Sequence, residues 1–332
     1  PSCACSYFYA PECYNPLEPW RSIVYNTDMR VLLLFIDGVG IREPAPDNPV
    51  SAAVCPTLHS LIAGNSVPID ACLGVPGLPQ SATGQTTMFT GKNAPQFMGR
   101  HVEGFPGPSL RTLITDGNLL LSLKQHGCRV RFANGYFAES IAEINARRFK
   151  SVTTVMSLTC PEVICLREDL LANQAVFHDI TRDTIRSRGY TGPLIKPQQA
   201  AEHLIQLALA HDFTLFEFFL SDLAGHSRHY EEAVETLRTL DAFLAPVCAM
   251  AAEQDILLVL TSDHGNIECM NAHGHTTNPV PLIACGPGAD EMLHHATSLM
   301  DITPRVKKLL GVLQSAPVPP DSGGLQTPHP TH

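Results

Sequence analysis

The stretch LLVLTSDHGN, residues 257–266, begins like a buried strand and ends in polar groups. Its first four residues are all apolar, which is the pattern of a strand in a parallel sheet that is covered on both faces. Asp263 and His264 follow side by side, and Gly265 comes directly after them. Because glycine permits a sharp turn and a close backbone approach, the stretch predicts a strand of an α/β sheet with a binding site at its carboxyl end.

Further apolar, β-branched or aromatic runs predict other strands of the same sheet. They cover residues 30–37, 129–136, 213–222 and 280–286. Helical patterns lie between them, at residues 197–212, 230–254 and 300–313. Alternation of strands and helices predicts an α/β fold, with a mostly parallel sheet sandwiched by helices.

The middle of the chain has a different pattern. It contains Gly- and Pro-rich pieces such as GFPGPSL and an apolar, β-rich piece, SVTTVMSLTCPEVICL. It therefore fits an inserted smaller cap segment better than a further strand–helix repeat. The predicted organisation is a peripheral leader at 1–28, a core at 29–92 and 194–313, a cap at 93–193 and a disordered tail at 314–332.

Composition excludes two classes of partner. The 332 residues carry a formal charge of −10 with no basic run, which argues against nucleic-acid binding. No apolar run approaches the roughly 20 residues needed to span a bilayer. The 11 cysteines include no CxxC pair, so we predict reduced thiols in a cytoplasmic protein.

Acidic and imidazole side chains stand where the predicted strands end, at the edge where parallel sheets bind ligands. They are Asp37 after the first strand, Asp222 and His226 in a turn after the strand at 213–222, Asp263 and His264, and then His273 and His275 before the last strand. Carboxylates mixed with imidazoles suit Zn²⁺ or Mn²⁺. The set exceeds what one tetrahedral ion needs, so two divalent metal ions are expected.

A nucleophile is expected in PQSATGQTTMFTG, residues 79–91, where a small-residue turn leads into a helix. Ser81 and Thr83 both qualify, because a hydroxyl beside metal ions can be activated and a helix N-terminus favours an anion. The alternative is that Ser81 is only a helix cap.

Five blocks together resemble the alkaline phosphatase superfamily of metalloenzymes, and most closely the branch with cofactor-independent phosphoglycerate mutase and phosphopentomutase. The blocks are FIDGVG, SATG, DLAGH, TSDHGN and HTTNPVPLI, in that order. The resemblance implies an alkaline phosphatase-like fold, with Ser81 as nucleophile and metal ligand. It implies one metal held by Asp37, Asp263 and His264, and another held by Asp222, His226 and His275. Gln85 departs from the pattern, since the mutases usually have His there.

The expected function is two-metal-dependent phosphoryl transfer, as a phosphomutase or phosphatase, on a small phosphorylated metabolite through a phosphoserine. Arg100, His101 and Arg111 could contact the substrate phosphate, or be solvated surface residues. Alternatives are a phosphodiesterase, a sulfatase, and a non-catalytic metal-stabilised binding protein. The chain lacks the Cys-x-Pro-x-Arg sequence of a typical sulfatase.

Overall fold

The computed structural model describes residues 29–312, so the predicted leader and the predicted tail both lie outside the described residues. The described part contains a six-stranded sheet with the order β2-β6-β5-β1-β4-β3. The strands are β1 Val31–Ile36, β2 Ser66–Ile69, β3 Val130–Phe132, β4 Phe213–Phe218, β5 Leu257–Thr261 and β6 Val280–Cys285.

The sheet is mostly parallel, as predicted. Strand β1 pairs in parallel with β4 and β5, and β3 pairs in parallel with β4. Strand β6 runs antiparallel to both β5 and β2. A continuous apolar run indicates burial on both faces but not strand direction, so the reversal of β6 could not be predicted from its composition.

Helices cover both faces of the sheet. Several of them, in the middle of the chain, are short. The helices are α1 Pro56–Asn65, α2 Ser81–Thr90, α3 Ala94–Met98, α4 Pro108–Asp116, α5 Leu119–Gln125, α6 Ile141–Ala146, α7 Val152–Ser157, α8 Arg167–Leu171, α9 Pro197–Ala210, α10 Leu220–Ser227, α11 Tyr230–Glu253, α12 Ala289–Leu293 and α13 Ile302–Leu309. In residues 29–312, no helix is both long and apolar enough to cross a membrane.

Alternating side chains of β1 enter two different cores. Leu33 and Phe35 pack with residues of α2, α5 and α13, whereas Leu32 and Leu34 pack with residues of α9 and α11. Successive side chains of a strand point to opposite faces. A strand buried on both faces must therefore be apolar throughout, which explains the continuous apolar run Val31–Ile36 of β1.

Part of the middle segment packs with the main sheet. Strand β3 extends the main sheet at its edge by pairing with β4, and side chains of α5 and α7 belong to one of the two main cores. The β-rich piece at 151–166 forms α7 and a short 3-10 helix instead of strands. Residues between 165 and 190 pack around a small core of their own, and the cap at 93–193 stays a prediction.

Candidate metal centre

The carboxyl ends of β1, β4 and β5, which are neighbours in the sheet, position the predicted acids. Asp37 follows β1 directly, and its backbone N–H donates to the Phe218 carbonyl at 2.9 Å. Asp222 and His226 lie on α10 and not in a turn, because β4 ends at Phe218 and the chain becomes helical at Leu220. Their spacing of four residues places both on one face of that helix.

The first ligand group surrounds Nε2 of His264. This atom lies 2.9 Å from the Ser81 hydroxyl oxygen, 3.4 Å from an oxygen of Asp37 and 3.5 Å from an oxygen of Asp263. Asp263 and His264 are both fully buried. Carboxylate, imidazole and hydroxyl groups around one point form a donor set that suits a divalent cation.

The second ligand group adjoins the first. Nε2 of His226 lies 3.0 Å from Nε2 of His275 and 3.3 Å from one oxygen of Asp222. The other oxygen of Asp222 is 3.5 Å from Nε2 of His275. The rings of His275 and His264 stack with centroids 3.6 Å apart, so the two groups are direct neighbours. His273, the other candidate histidine, is exposed.

The electrostatics of the cluster favour bound cations. Within residues 29–312, its three carboxylates pair with histidines and with no Lys or Arg. One oxygen each of Asp37 and Asp263, and Nδ1 of His264, are buried without a hydrogen-bond partner. Buried carboxylates need a compensating positive charge, and divalent cations at the unpartnered carboxylate oxygens would supply it.

The pKa values of two of these carboxyl groups reflect the buried negative charge. Burial, followed by repulsion from Asp263 and Asp222, raises the pKa of Asp37 well above its usual value. Burial would also raise the pKa of Asp222, but hydrogen bonding, first from His226, holds it at about 2. The ionised form of Asp37 is therefore destabilised by uncompensated negative charge, whereas the ionised form of Asp222 is already stabilised.

Two amide side chains, which the metal-ligand patterns did not identify, orient the carboxylates. Nε2 of Gln85 donates to Oδ2 of Asp37 at 3.1 Å and to Oδ2 of Asp263 at 3.2 Å. Nδ2 of Asn266 donates to Oδ1 of Asp222 at 2.6 Å. The sequence singled out Gln85 only as a departure from the mutases, and Asn266 only as the last letter of TSDHGN.

Two glycines leave space that the site requires. A Cβ on Gly265 would lie 2.2 Å from Oγ1 of Thr276, and a Cβ on Gly38 would lie 2.8 Å from Oδ1 of Asp222. The predicted close approach at Gly265 is therefore confirmed. Gly38 has a left-handed backbone conformation, with φ of +75°, whereas Gly265 does not. A glycine is therefore needed at position 265 because a side chain would not fit there, and not because of its backbone conformation.

Glu268 holds the ligand-bearing loops together, and sequence patterns gave no signal for it. Its Oε2 accepts from the backbone N–H of Gly40 at 2.9 Å and of Asn266 at 2.8 Å. Its Oε1 accepts from Oγ1 of Thr276 at 2.5 Å and from Nδ2 of Asn278 at 3.0 Å. The carboxylate is fully buried and thus joins the segments that follow β1, follow β5 and precede β6.

We expect Glu268→Ala to lower the free energy of unfolding by about 3–5 kcal/mol, since it leaves several buried donors without a partner. Metal affinity should fall with it, because the loops that carry the ligands lose their common anchor. Denaturant unfolding and metal titration measure the two effects. Glu235→Ala, on the exposed side of α11, is the control and should change neither. Unaltered metal affinity in a folded Glu268→Ala protein would contradict this role.

The proposed nucleophile and substrate contacts lie in and near α2. Ser81 is the first residue of α2, and the N-cap position is held by Gln80 without a side-chain cap bond. His101 contacts the Val75 carbonyl at 3.1 Å, and Arg111 donates to the Pro106 carbonyl at 2.9 Å. Within residues 29–312, neither these two nor the exposed Arg100 forms a hydrogen bond or ion pair with the ligand groups, so their contact with substrate stays a prediction.

Solved structures share this fold. A protein from Pyrococcus horikoshii matches with a TM-score of 0.52 and 14% identity, over 87% of this chain and 99% of that one. A variant of TAB5 alkaline phosphatase with Mg bound in its M3 site matches with a TM-score of 0.52 and 13% identity, over 86% and 98%. The predicted alkaline phosphatase-like fold is confirmed.

Sequence comparison extends the likeness to curated relatives. The 2,3-bisphosphoglycerate-independent phosphoglycerate mutase of Gloeobacter violaceus is 30% identical over 142 residues, which cover 37% of this chain and 26% of that protein. The Helicobacter pylori (strain J99) enzyme of the same name is 30% identical over 147 residues, or 41% and 30%. The match thus spans under a third of these relatives' length. A model of the Metalloenzyme superfamily matches residues 29–314, and the chain therefore belongs to this superfamily.

Proposed function

We propose that the chain is a two-metal-dependent phosphoryl-transfer enzyme, a phosphomutase or phosphatase, that acts on a small phosphate monoester through a phosphoserine at Ser81. One observation carries the proposal. The Ser81 hydroxyl oxygen lies 2.9 Å from Nε2 of His264, within a buried group of carboxylates and imidazoles that requires cations. A hydroxyl placed there is positioned for activation as a nucleophile.

Two divalent cations, Mn²⁺ or Zn²⁺, fit the nitrogen and oxygen donors. Asp37, Asp263 and His264 with Ser81 would hold one, and Asp222, His226 and His275 would hold the other. Bound there, the cations would supply the positive charge that stabilises a serine alkoxide and neutralises phosphate oxygens.

The chain's own groups would position the reactants. Ser81 opens α2, so backbone N–H groups of the first helical turn are available to a phosphate. The Ser81 hydroxyl gives up its proton to solvent and its oxygen attacks phosphorus, the phosphorus–oxygen bond to the substrate breaks, and the departing oxygen takes up a proton from solvent. Water in a phosphatase, or a second hydroxyl of the substrate in a mutase, then loses a proton to solvent and attacks the phosphoserine. The bond between phosphorus and the Ser81 oxygen breaks, and Ser81 takes up a proton again.

The comparisons support a small phosphorylated metabolite as substrate, since the curated relatives are phosphoglycerate mutases by name. Because the match covers only part of those relatives, it does not identify the substrate.

A panel of phosphate monoesters, assayed with Mn²⁺ and with Zn²⁺, tests the proposal. We expect turnover that depends on the metal, read as released phosphate for a phosphatase and as an isomerised ester for a mutase. Preference for diesters over monoesters would indicate a phosphodiesterase. A folded protein that binds both metals and turns over no ester would be a non-catalytic metal-stabilised protein.

A further inference from the structure

A cleft adjoins the metal centre on the side of β4. Its inner cavity has a volume of about 340 Å³ and its outer cavity about 490 Å³, and both are lined by Phe137, Arg147 and Arg188, so they form one cleft. Glu217 and Phe219, at the end of β4 and just before α10, line the inner cavity. The cleft therefore begins at the segment that leads into the second ligand group.

Aromatic side chains dominate the inner cavity. Phe177 and Phe219 flank His178, whose ring stacks on Phe219 with centroids 4.6 Å apart. At the rim, Phe105 is 51% exposed and stacks on Phe149, which is 58% exposed, at 5.3 Å. Large exposed aromatic side chains beside a cavity are typical of a surface that a ligand covers.

Two arginines in the cleft have no charge partner. Within residues 29–312, the guanidinium groups of Arg147 and Arg188 form no ion pair and no hydrogen bond, whereas Arg167 in the outer cavity pairs with Glu139. Arg147 lies over the ring of Tyr136 at 5.6 Å. In a chain of net charge −10, two unpaired guanidinium groups in one aromatic cleft leave N–H donors of the kind through which arginine binds carboxylate and phosphate groups.

We propose that this cleft binds the part of the substrate that does not react. An apolar, ring-sized group lies against the aromatic side chains, and a second anionic group, a carboxylate or a phosphate, binds Arg147 and Arg188. The substrate class is then an aromatic or similarly apolar phosphate monoester with a second anionic group, larger than a three-carbon phosphate ester. The inference rests on the proposed function, because it takes the reacting phosphate to lie at the ligand groups.

Steady-state kinetics with five esters tests the cleft. Phenyl phosphate provides the ring alone, 3-phosphoglycerate provides a carboxylate without a ring, and 3- and 4-carboxyphenyl phosphate and benzene-1,4-diyl bisphosphate provide both features. We expect KM for a carboxyphenyl phosphate or for the bisphosphate to be about tenfold below that for phenyl phosphate, which is the effect of one charge-assisted hydrogen bond. A lower KM for a carboxyphenyl phosphate would identify the second anionic group as a carboxylate, and a lower KM for the bisphosphate would identify it as a phosphate.

Variants assign that preference to the arginines. Arg147→Gln combined with Arg188→Gln should abolish it, so that in this variant KM for the esters with a second anionic group rises to about the KM for phenyl phosphate. Arg186→Gln is the matched control, because it removes an exposed neighbouring charge that does not line the cleft, and it should keep the preference. No preference in the wild type, or a preference that survives the double substitution, would overturn the proposal.

Calorimetric binding of the same esters to metal-loaded wild-type protein separates this inference from the proposed function. Binding of the aromatic esters with a second anionic group, without turnover and lost in the double variant, would support the cleft and overturn the phosphoryl-transfer activity. Turnover of phenyl phosphate without any preference for a second anionic group would support the activity and overturn the cleft.

Discussion

Ser81→Ala is expected to abolish phosphoryl transfer and leave the fold intact. Among the described residues, the hydroxyl makes its hydrogen bond to Nε2 of His264, and Gln80 occupies the N-cap of α2. Loss of one such bond costs on the order of 1 kcal/mol of stability. Loss of a nucleophile lowers kcat on the order of 10⁴-fold or more. Stopped assays and thermal unfolding of the same preparation measure both quantities.

Thr83→Ala is the matched control two residues along α2. The Thr83 hydroxyl donates to the Gln80 carbonyl at 3.2 Å and accepts from the Val102 N–H at 3.2 Å, which are structural contacts. Turnover should persist, and mass spectrometry of enzyme quenched during turnover should find the phosphoryl group on Ser81. A phosphoryl group on Thr83 would move the assignment by two residues. Full activity in Ser81→Ala, with no phosphoenzyme, would mean that water attacks phosphorus directly.

The ligand residues were predictable because strand ends are encoded locally. Asp37 and Asp263 each follow a continuous apolar run, and such runs can be buried only in a sheet that is covered on both faces. The sheet then brings its carboxyl ends to one edge. Grouping the ligands into two sets required the family resemblance, and the structure brings each set together around an imidazole nitrogen. The roles of these residues stay predictions until they are tested by substitution.

Features that depend on tertiary contacts were not predictable. The β-branched run that begins at Val152 forms α7 because Ser151 caps it, by accepting from the Thr154 N–H, and because it is buried against the main core. Tertiary context overrides intrinsic propensity in this way. Glu268 lies in an ordinary polar loop sequence, and its four donors come from three separate segments. No local spacing could reveal it.

Asp263→Asn should change stability in opposite directions with and without metal. The wild-type protein is expected to bind two divalent ions per chain, and the variant one, by elemental analysis. With metal present the variant should be less stable, since a cation at 100 to 1,000 times its Kd contributes about 3–4 kcal/mol. With metal removed by chelation the variant should be more stable, because its neutral amide no longer repels Asp37, whose pKa is raised by burial and then by the charge of Asp263.

Asp241→Asn is the control for that reversal. Asp241 is also buried, but its oxygens accept from the backbone N–H of Thr57 at 3.2 Å and of Leu58 at 2.8 Å at the start of α1. This variant should lose a similar amount of stability in chelator and in metal, and should retain both ions. If Asp263→Asn behaved in the same way, or kept two ions, Asp263 would be a structural residue and the two-metal proposal would be wrong. A reversal confined to Asp263→Asn has one physical cause, a buried negative charge that a bound cation compensates.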